Sequence, residues 1–277
     1  MCVESERHRH WRDGLDRGRG WGIAARSLLF VVCSAVVLAV AARWERVAYG
    51  PLVVGSSAAL GTLVLTILFV RWEGLRLHDV GVELVRGSLR RFAVAFVVGL
   101  SLPLLRAGIV MLVTGLRYEH VRSFTPADVM MTLALYIALA SREELAFRGF
   151  PLRMFDREFG PWVAQVVIAM LFVAEHVLGG WTWWQAVFGS GVGALLFGAA
   201  SLRTRGLAVP IGLHAAWNFG DTMLGGKGTP GLWRPLVDAS AMQRVEKTQW
   251  VAYVLAMLAA AAAIWYWPRR VNETAGR

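Results

Sequence analysis

Two acidic residues stand side by side at the end of a long apolar stretch. The segment "SREELAFRGF", residues 141 to 150, contains Glu143 and Glu144 at a depth where a membrane helix would still be inside hydrocarbon. On a helix, Glu144 and Arg148 lie one turn apart in the favourable order for an ion pair. At about 100° per residue, Glu143 points about 140° away from Arg148. Glu143 is therefore a candidate general base, although two solvated acids at a helix end would have the same sequence.

Two further apolar segments contain histidine. In "LFVAEHVLGG", residues 171 to 180, Phe172 and His176 lie one helical turn apart, and in "GLHAAWNFG", residues 212 to 220, His214 and Asn218 do the same. A polar group at membrane depth is costly, at least about 2.5 to 3.5 kcal/mol for an ionisable one. The stripe of His214 and Asn218 must therefore face protein or a water-filled cavity. His176 alone fits a hydrogen-bonded packing residue as well as a catalyst.

The other charged residues within or next to apolar segments are expected to support this cluster. Asp221 follows His214 by two helical turns on the same face, so it could orient the imidazole. We expect Glu175 to pair with Arg142 or Arg106 rather than to act in catalysis.

Composition defines the class of protein that must position these residues. Hydrophobic residues make up 56% of the 277, and charged residues only 17%, which indicates a polytopic membrane protein. Strands apolar on both faces would not form a barrel, so the fold class is all-α, a polytopic membrane helix bundle of about eight transmembrane helices. The predicted spans are 27–42, 51–70, 92–116, 129–147, 162–178, 184–202, 207–224 and 250–267. Residues 27–267 are thus expected to form a single transmembrane domain, between a basic cytosolic N-terminal tail, 1–26, and a C-terminal tail, 268–277.

The net charge of +10 comes almost entirely from arginine. The arginines are scattered between apolar segments and form no stripe with interleaved aromatic residues, so no nucleic-acid partner is expected. With the N-terminus in the cytosol, the cytosolic segments hold 19 arginines and lysines and the opposite segments hold 8. This bias predicts that both termini are cytosolic. Between the second and third spans, residues 72–91 alternate apolar and basic residues and predict an interfacial helix.

The three motifs together resemble a known family. "EELAFRG", "FVAEH" and "HAAWN" are similar, in the same order, to the motifs of the CPBP intramembrane proteases, a group that includes the type II CAAX prenyl endopeptidases and bacterial bacteriocin-processing and self-immunity proteins. The resemblance covers residues 125–224, the expected catalytic core. It implies an intramembrane endopeptidase in which Glu143 activates the attacking water, and Glu144 holds Arg148 and the local geometry.

The resemblance also implies roles for the other motif residues. His176 and His214 would position the water or transfer its proton, Asn218 would donate a hydrogen bond to the oxyanion, and Phe172 would pack the second motif. Because the family has been described both as metalloproteases and as glutamic proteases, a cofactor stays an open question. Glu143, His176 and His214 are a ligand set that Zn²⁺ accepts, but His-Glu-x-x-His spacing is missing, so we expect no metal.

A non-proteolytic alternative stays open, in which a binding, immunity or transport protein uses the same polar cavity. The expected partners are the lipid bilayer and a membrane-associated peptide or protein substrate. Arginine- and alanine-rich, lysine-poor usage indicates a bacterial protein, so the inner membrane is the expected location. Counting 1.5 Å per residue places His176 about 10 Å deeper than Glu143 and His214. Convergence then requires that the fourth or fifth helix extends into the cytosol or that the turn at 179–184 is re-entrant, and we expect the cavity to open towards the cytosol.

Overall fold

The computed structural model describes residues 17–82, 85–228 and 231–267, and within these the chain is a bundle of helices. The α-helices are α1 (Arg17–Ala41), α2 (Gly50–Trp72), α3 (Ser88–Thr114), α4 (Pro126–Glu144), α5 (Phe150–Phe159), α6 (Pro161–Leu178), α7 (Trp183–Gln185), α8 (Val192–Thr204), α9 (Ala208–Met223) and α10 (Met242–Tyr266). Residues 1–16 of the predicted N-terminal tail, and the predicted C-terminal tail 268–277, lie outside the described residues.

Six helical segments of the described chain are long and apolar enough to cross a membrane. They are Gly20–Trp44, Gly50–Trp72, Ser88–Thr114, Pro161–Leu178, Trp183–Thr204 and Ala239–Tyr266. The other two predicted spans, 129–147 and 207–224, are also helical, as α4 and α9, and they are the ones that contain Glu143, Glu144 and His214. The predicted fold class, an all-α polytopic membrane bundle, is confirmed, and the count of about eight long helices agrees with it.

The predicted first span, 27–42, lies within the segment Gly20–Trp44, and the helix that forms it starts earlier, at Arg17. One local prediction was wrong. The stretch 72–91 is not an interfacial helix, because its described part contains a single helical turn, Leu77–Val80, before α3 begins. Gly74, Gly81 and Gly87 all have positive φ values in this connection, a conformation that interrupts a helix and that glycine adopts without strain.

Two π-helical segments interrupt the helices around the polar cluster. Leu145–Gly149 joins α4 to α5, and Ala186–Gly191 joins α7 to α8. Pro151, the second residue of α5, follows the first of these segments. It has no N–H and so cannot continue the hydrogen-bond ladder of α4. π-turns are rare overall, and those that do occur are often found at functional sites. Their position on two sides of the polar cluster therefore indicates that the cluster is functional.

Helices α3 and α9 pack closely because glycine lies at their contact. A Cβ on Gly212 would lie 2.6 Å from the carbonyl oxygen of Phe92, and one on Gly99 would lie 2.8 Å from Cβ of Ala216. Small residues of this kind let two helix backbones approach in a membrane, where van der Waals packing drives association. This contact positions α9, which bears His214, against the rest of the bundle.

The helix ends form two opposite faces of the bundle. At the first, which we call the arginine-rich end, Arg26 pairs with Glu73 and the N–H of Leu207 bonds to the carbonyl of Gly81 at 3.1 Å. At the second, which we call the hairpin end, β1 (Arg117–His120) pairs antiparallel with β2 (Trp233–Leu236). Because the long helices alternate in direction, each connection lies at one of these two ends.

Candidate functional site

Glu144 holds His214 from beneath the site. Nδ1 of His214 lies 2.8 Å from Oε1 of Glu144, and NH1 of Arg148 lies 3.4 Å from the same oxygen. The side chains of Glu144 and Arg148 are both fully buried, and the guanidinium of Arg148 lies 4.3 Å above the ring of Phe172. The predicted ion pair between Glu144 and Arg148 is therefore confirmed, and the structure adds that Glu144 also fixes His214.

Glu143 faces the other edge of the same imidazole. Its Oε2 lies 3.6 Å from Nε2 of His214 and has no hydrogen-bond partner among the described residues. The ring of His214 is itself fixed, because it stacks on Phe197 at 4.3 Å with an interplanar angle of 13°. An unpartnered carboxylate oxygen next to an immobilised imidazole is well placed to accept a proton from a small polar molecule between them.

His176 presents one ring nitrogen to the cavity. Its Nδ1 lies 2.9 Å from the carbonyl oxygen of Phe172. A carbonyl only accepts, so the proton of a neutral imidazole is on Nδ1 and Nε2 is left as an acceptor. The ring packs edge-on against Phe172, at 4.5 Å, and against Trp181, at 4.9 Å. Phe172 thus packs the second motif, as predicted, and separates the two histidines from the buried Arg148.

The predicted residues from three helices line one cavity of about 710 Å³. Glu143, His176, His214 and Asn218 all contribute to its wall, together with Phe172 and Phe197. Glu143, His176 and His214 therefore do line one cavity, although the depths counted along their helices had put this in doubt. The helical chain continues from α4 through Leu145–Gly149 and α5 to Phe159, so the fourth helix does extend beyond its apolar segment.

A lysine that sequence reasoning missed contacts Asn218. Nζ of Lys227 donates to Oδ1 of Asn218 at 2.7 Å, so the NH₂ of this amide remains as its donor. Lys227 also lies 5.9 Å from the ring centre of Tyr136, another cavity residue. It belongs to the loop after α9, and no helical periodicity could have linked it to the motifs.

Two ion pairs flank the site. Arg142 forms a bidentate pair with Glu175, as one of the predicted alternatives stated. Arg106 pairs with Asp221, so the prediction that Asp221 orients His214 was wrong. The physical reason is that the face of α9 that bears Asp221 meets α3, where Arg106 supplies a full positive charge. Glu144, from α4, takes the place at His214 that was assigned to Asp221.

The bonding of the two histidines bears on whether the site could hold a metal. Each histidine is bonded through Nδ1, as in many metal sites, which leaves Nε2 as the nitrogen that could bind an ion. However, no three His, Cys, Asp or Glu residues in the described ranges are grouped closely enough to hold an ion. The predicted set of Glu143, His176 and His214 is included in this statement.

The fold and the site define the class. This is a multi-pass helical membrane protein with a polar cavity between its helices, into which two histidines, a free carboxylate and an amide project. Residues 124–220 match the family described as type II CAAX prenyl endopeptidase Rce1-like, a family of intramembrane proteases. The match confirms the resemblance predicted from the three motifs, and it contains all six predicted site residues but not Lys227. No curated protein matches the chain.

The direction in which the cavity opens conflicts with one pair of predictions. Its exposed rim includes Lys227, Gln185 and Glu246, which belong to the hairpin end of the bundle. The expected cytosolic opening and the expected cytosolic termini therefore do not hold together, because α1 begins and α10 ends at the arginine-rich end.

Proposed function

We propose that the protein is an intramembrane endopeptidase that hydrolyses a peptide bond of a membrane-associated protein or peptide with water activated by Glu143. One observation supports this most directly. Glu143, His176, His214 and Asn218 line a single cavity, while the buried Glu144 and Arg148 hold His214 from outside it.

The chemistry begins with a water molecule next to Glu143. The carboxylate takes one proton of this water, and the hydroxide formed attacks the carbonyl carbon of the scissile bond. Nε2 of His176 accepts the other hydrogen of the water and so orients it. His214 is kept in a single orientation by Glu144, and its Nε2 shares the transferred proton with Glu143. That proton is then delivered to the nitrogen of the leaving group, which breaks the C–N bond.

Asn218 stabilises the oxyanion in this proposal. Because Lys227 holds the amide oxygen, the amide NH₂ is oriented away from Lys227 and donates to the negative oxygen of the tetrahedral intermediate. The ammonium of Lys227 adds positive charge behind this donor. Removal of a single oxyanion donor in other enzymes lowers kcat by about 10²- to 10³-fold. Asn218→Ala is expected to show a loss of this size without loss of fold.

The test compares wild type with Glu143→Gln in liposomes that contain a panel of reporter peptides with membrane anchors. Glutamine keeps the size of the side chain and cannot act as a base, so cleavage should fall by about 10²- to 10⁴-fold. Glu45→Gln is the matched control, because Glu45 is an exposed glutamate in the connection after α1. Equal cleavage by wild type and Glu143→Gln would contradict the proposal, and no cleavage by any variant across the panel would favour a binding function.

The role of metal is tested on the same preparation. Because the donor atoms are not grouped to hold an ion, a strong chelator is expected to leave the rate unchanged. Inactivation that added Zn²⁺ reverses would show instead that the site rearranges around a metal.

A further inference from the structure

The floor of the cavity is closed at the arginine-rich end. Ala146, Phe147, Arg148, Phe150 and Leu152 follow Glu143 along the chain, and all are fully buried. This layer separates the polar cluster from the connections that bear most of the arginines.

Exposure increases in the opposite direction. His214 is 5% exposed at the bottom of the cavity, whereas Trp181 near its rim is 40% exposed. Lys227, Gln185 and Glu246 complete the rim and are exposed. The rim thus consists of the connection after α6 together with α7, the loop after α9 and the first turns of α10. All three lie at the hairpin end.

Charge indicates which end faces the cytosol. Of the arginines and lysines outside the spans predicted from the sequence, 19 lie before the first span, after the last span or between spans that are joined at the arginine-rich end, and 8 lie between spans that are joined at the hairpin end. Lysine and arginine are enriched on the cytosolic side of membrane proteins, and the bias sets the orientation. The hairpin end, and with it the rim, therefore lies on the non-cytosolic side.

We infer that the cavity opens to the non-cytosolic side of the membrane, so that the substrate is a membrane-anchored polypeptide whose scissile bond is exposed on that side. The substrate class rests on the proposed function, whereas the direction of the opening does not. Trp181 and Trp250 supply an apolar wall at the rim, which suits a segment that has just left the bilayer, since tryptophan prefers that interface. A lipid-modified tail that stays in the cytosol would have no access to Glu143.

Thiol labelling tests the direction of the opening without reference to activity. Cys2 and Cys33 are replaced, and single cysteines are introduced as Glu246→Cys and Gln185→Cys at the rim and as Arg205→Cys at the arginine-rich end, where the Arg205 side chain is 71% exposed. A membrane-impermeant maleimide is added to intact bacterial spheroplasts. We expect the rim cysteines to react at least tenfold faster than Arg205→Cys, and permeabilisation to abolish this difference. Protection of both rim positions in intact spheroplasts overturns the inference, whatever Arg205→Cys does.

A pair of reporters tests the substrate class. Each has one transmembrane anchor and the same panel of cleavable segments, placed on the non-cytosolic side in one reporter and on the cytosolic side in the other. We expect cleavage of the first to exceed that of the second by at least tenfold, and to require Glu143. Cleavage of the cytosolic reporter alone overturns the inference but leaves the proposed protease function intact. If the rim cysteines are labelled as expected but neither reporter is cleaved, the result counts against the proposed function and not against the direction of the opening.

Discussion

The ion pair between Arg142 and Glu175 joins the two helices of the site at the residues next to Glu143 and His176. Arg142 is 1% exposed and the side chain of Glu175 is 17% exposed, and the pair is bidentate, with NH2 and Oε2 3.0 Å apart. The pair joins α4 to α6 one residue before Glu143 and one residue before His176. Both of these residues line the same cavity. We therefore predict that Glu175→Leu destabilises the protein and inactivates it together.

The magnitude follows from the charge that is left behind. Hydrogen bonds between membrane helices contribute only about 0.6 kcal/mol on average, so the two bonds alone would give a small effect. An unpaired arginine at membrane depth costs at least about 2.5 to 3.5 kcal/mol, and breaking a buried pair in proteins costs about 3 to 5 kcal/mol. The charge term dominates, so Glu175→Leu should lower the free energy of unfolding by about 3 kcal/mol.

The assay is unfolding in detergent micelles by titration with sodium dodecyl sulfate, followed by circular dichroism and tryptophan fluorescence. The double variant Arg142→Met with Glu175→Leu removes both charges, and its stability should return to within about 1 kcal/mol of wild type. Glu119→Leu is the control, since Glu119 pairs with Arg234 at an exposed position, with 53% and 65% of these side chains accessible. That pair should contribute less than about 1 kcal/mol. A double variant as unstable as Glu175→Leu, or a loss no larger than that of Glu119→Leu, would refute the reasoning.

Two further predictions concern helix packing and a helix terminus. In the same unfolding assay, Gly212→Ala should destabilise the protein by about 1 to 3 kcal/mol, because the added Cβ would lie 2.6 Å from the backbone oxygen of Phe92. The control Gly108→Ala should be neutral or slightly stabilising, because no atom lies within 4 Å of its Cβ. At the start of α4, the hydroxyl and the backbone N–H of Thr125 donate hydrogen bonds that lower the pKa of Asp128. The ionised carboxylate therefore stabilises the folded state above its unfolded pKa, about 4. This contribution is lost as the pH falls through the lower pKa of the folded state. The difference in melting temperature between wild type and Asp128→Ala should therefore be present at pH 7 and shrink below about pH 4, and a difference that grows on acidification would contradict this assignment.

Helical spacing was sufficient to predict contacts within one helix. Glu144 and Arg148 are four residues apart, and their ion pair follows from the geometry of a single helix. The same spacing placed His214 and Asn218 on one face, and both line the cavity. The apolar segments predicted the bundle for a similar reason, because hydrophobicity over about 20 residues is a property of one segment.

Contacts between helices could not be predicted in the same way. Asp221 is on the same face as His214, but which neighbouring helix meets that face depends on packing, and α3 brings Arg106 to it. Lys227 lies in a loop and reaches Asn218 only because the chain turns back after α9. The direction of the opening also depends on packing, since it is decided by which residues close the floor beyond Glu143.

The π-helical segment Leu145–Gly149 gives the chain next to the site a tolerance to changes of length that the regular helices lack. A π-turn accommodates one residue more than an α-turn, so removal of a single residue, such as Ala146, would allow a continuous α-helix to form at little local cost. Because the wide turn had absorbed that residue, α4 and α5 would keep their relative rotation and Glu143 would still face the cavity. Deletion of one residue from a regular turn of α4 has no such outlet, and it rotates the residues before it by about 100° relative to those after it.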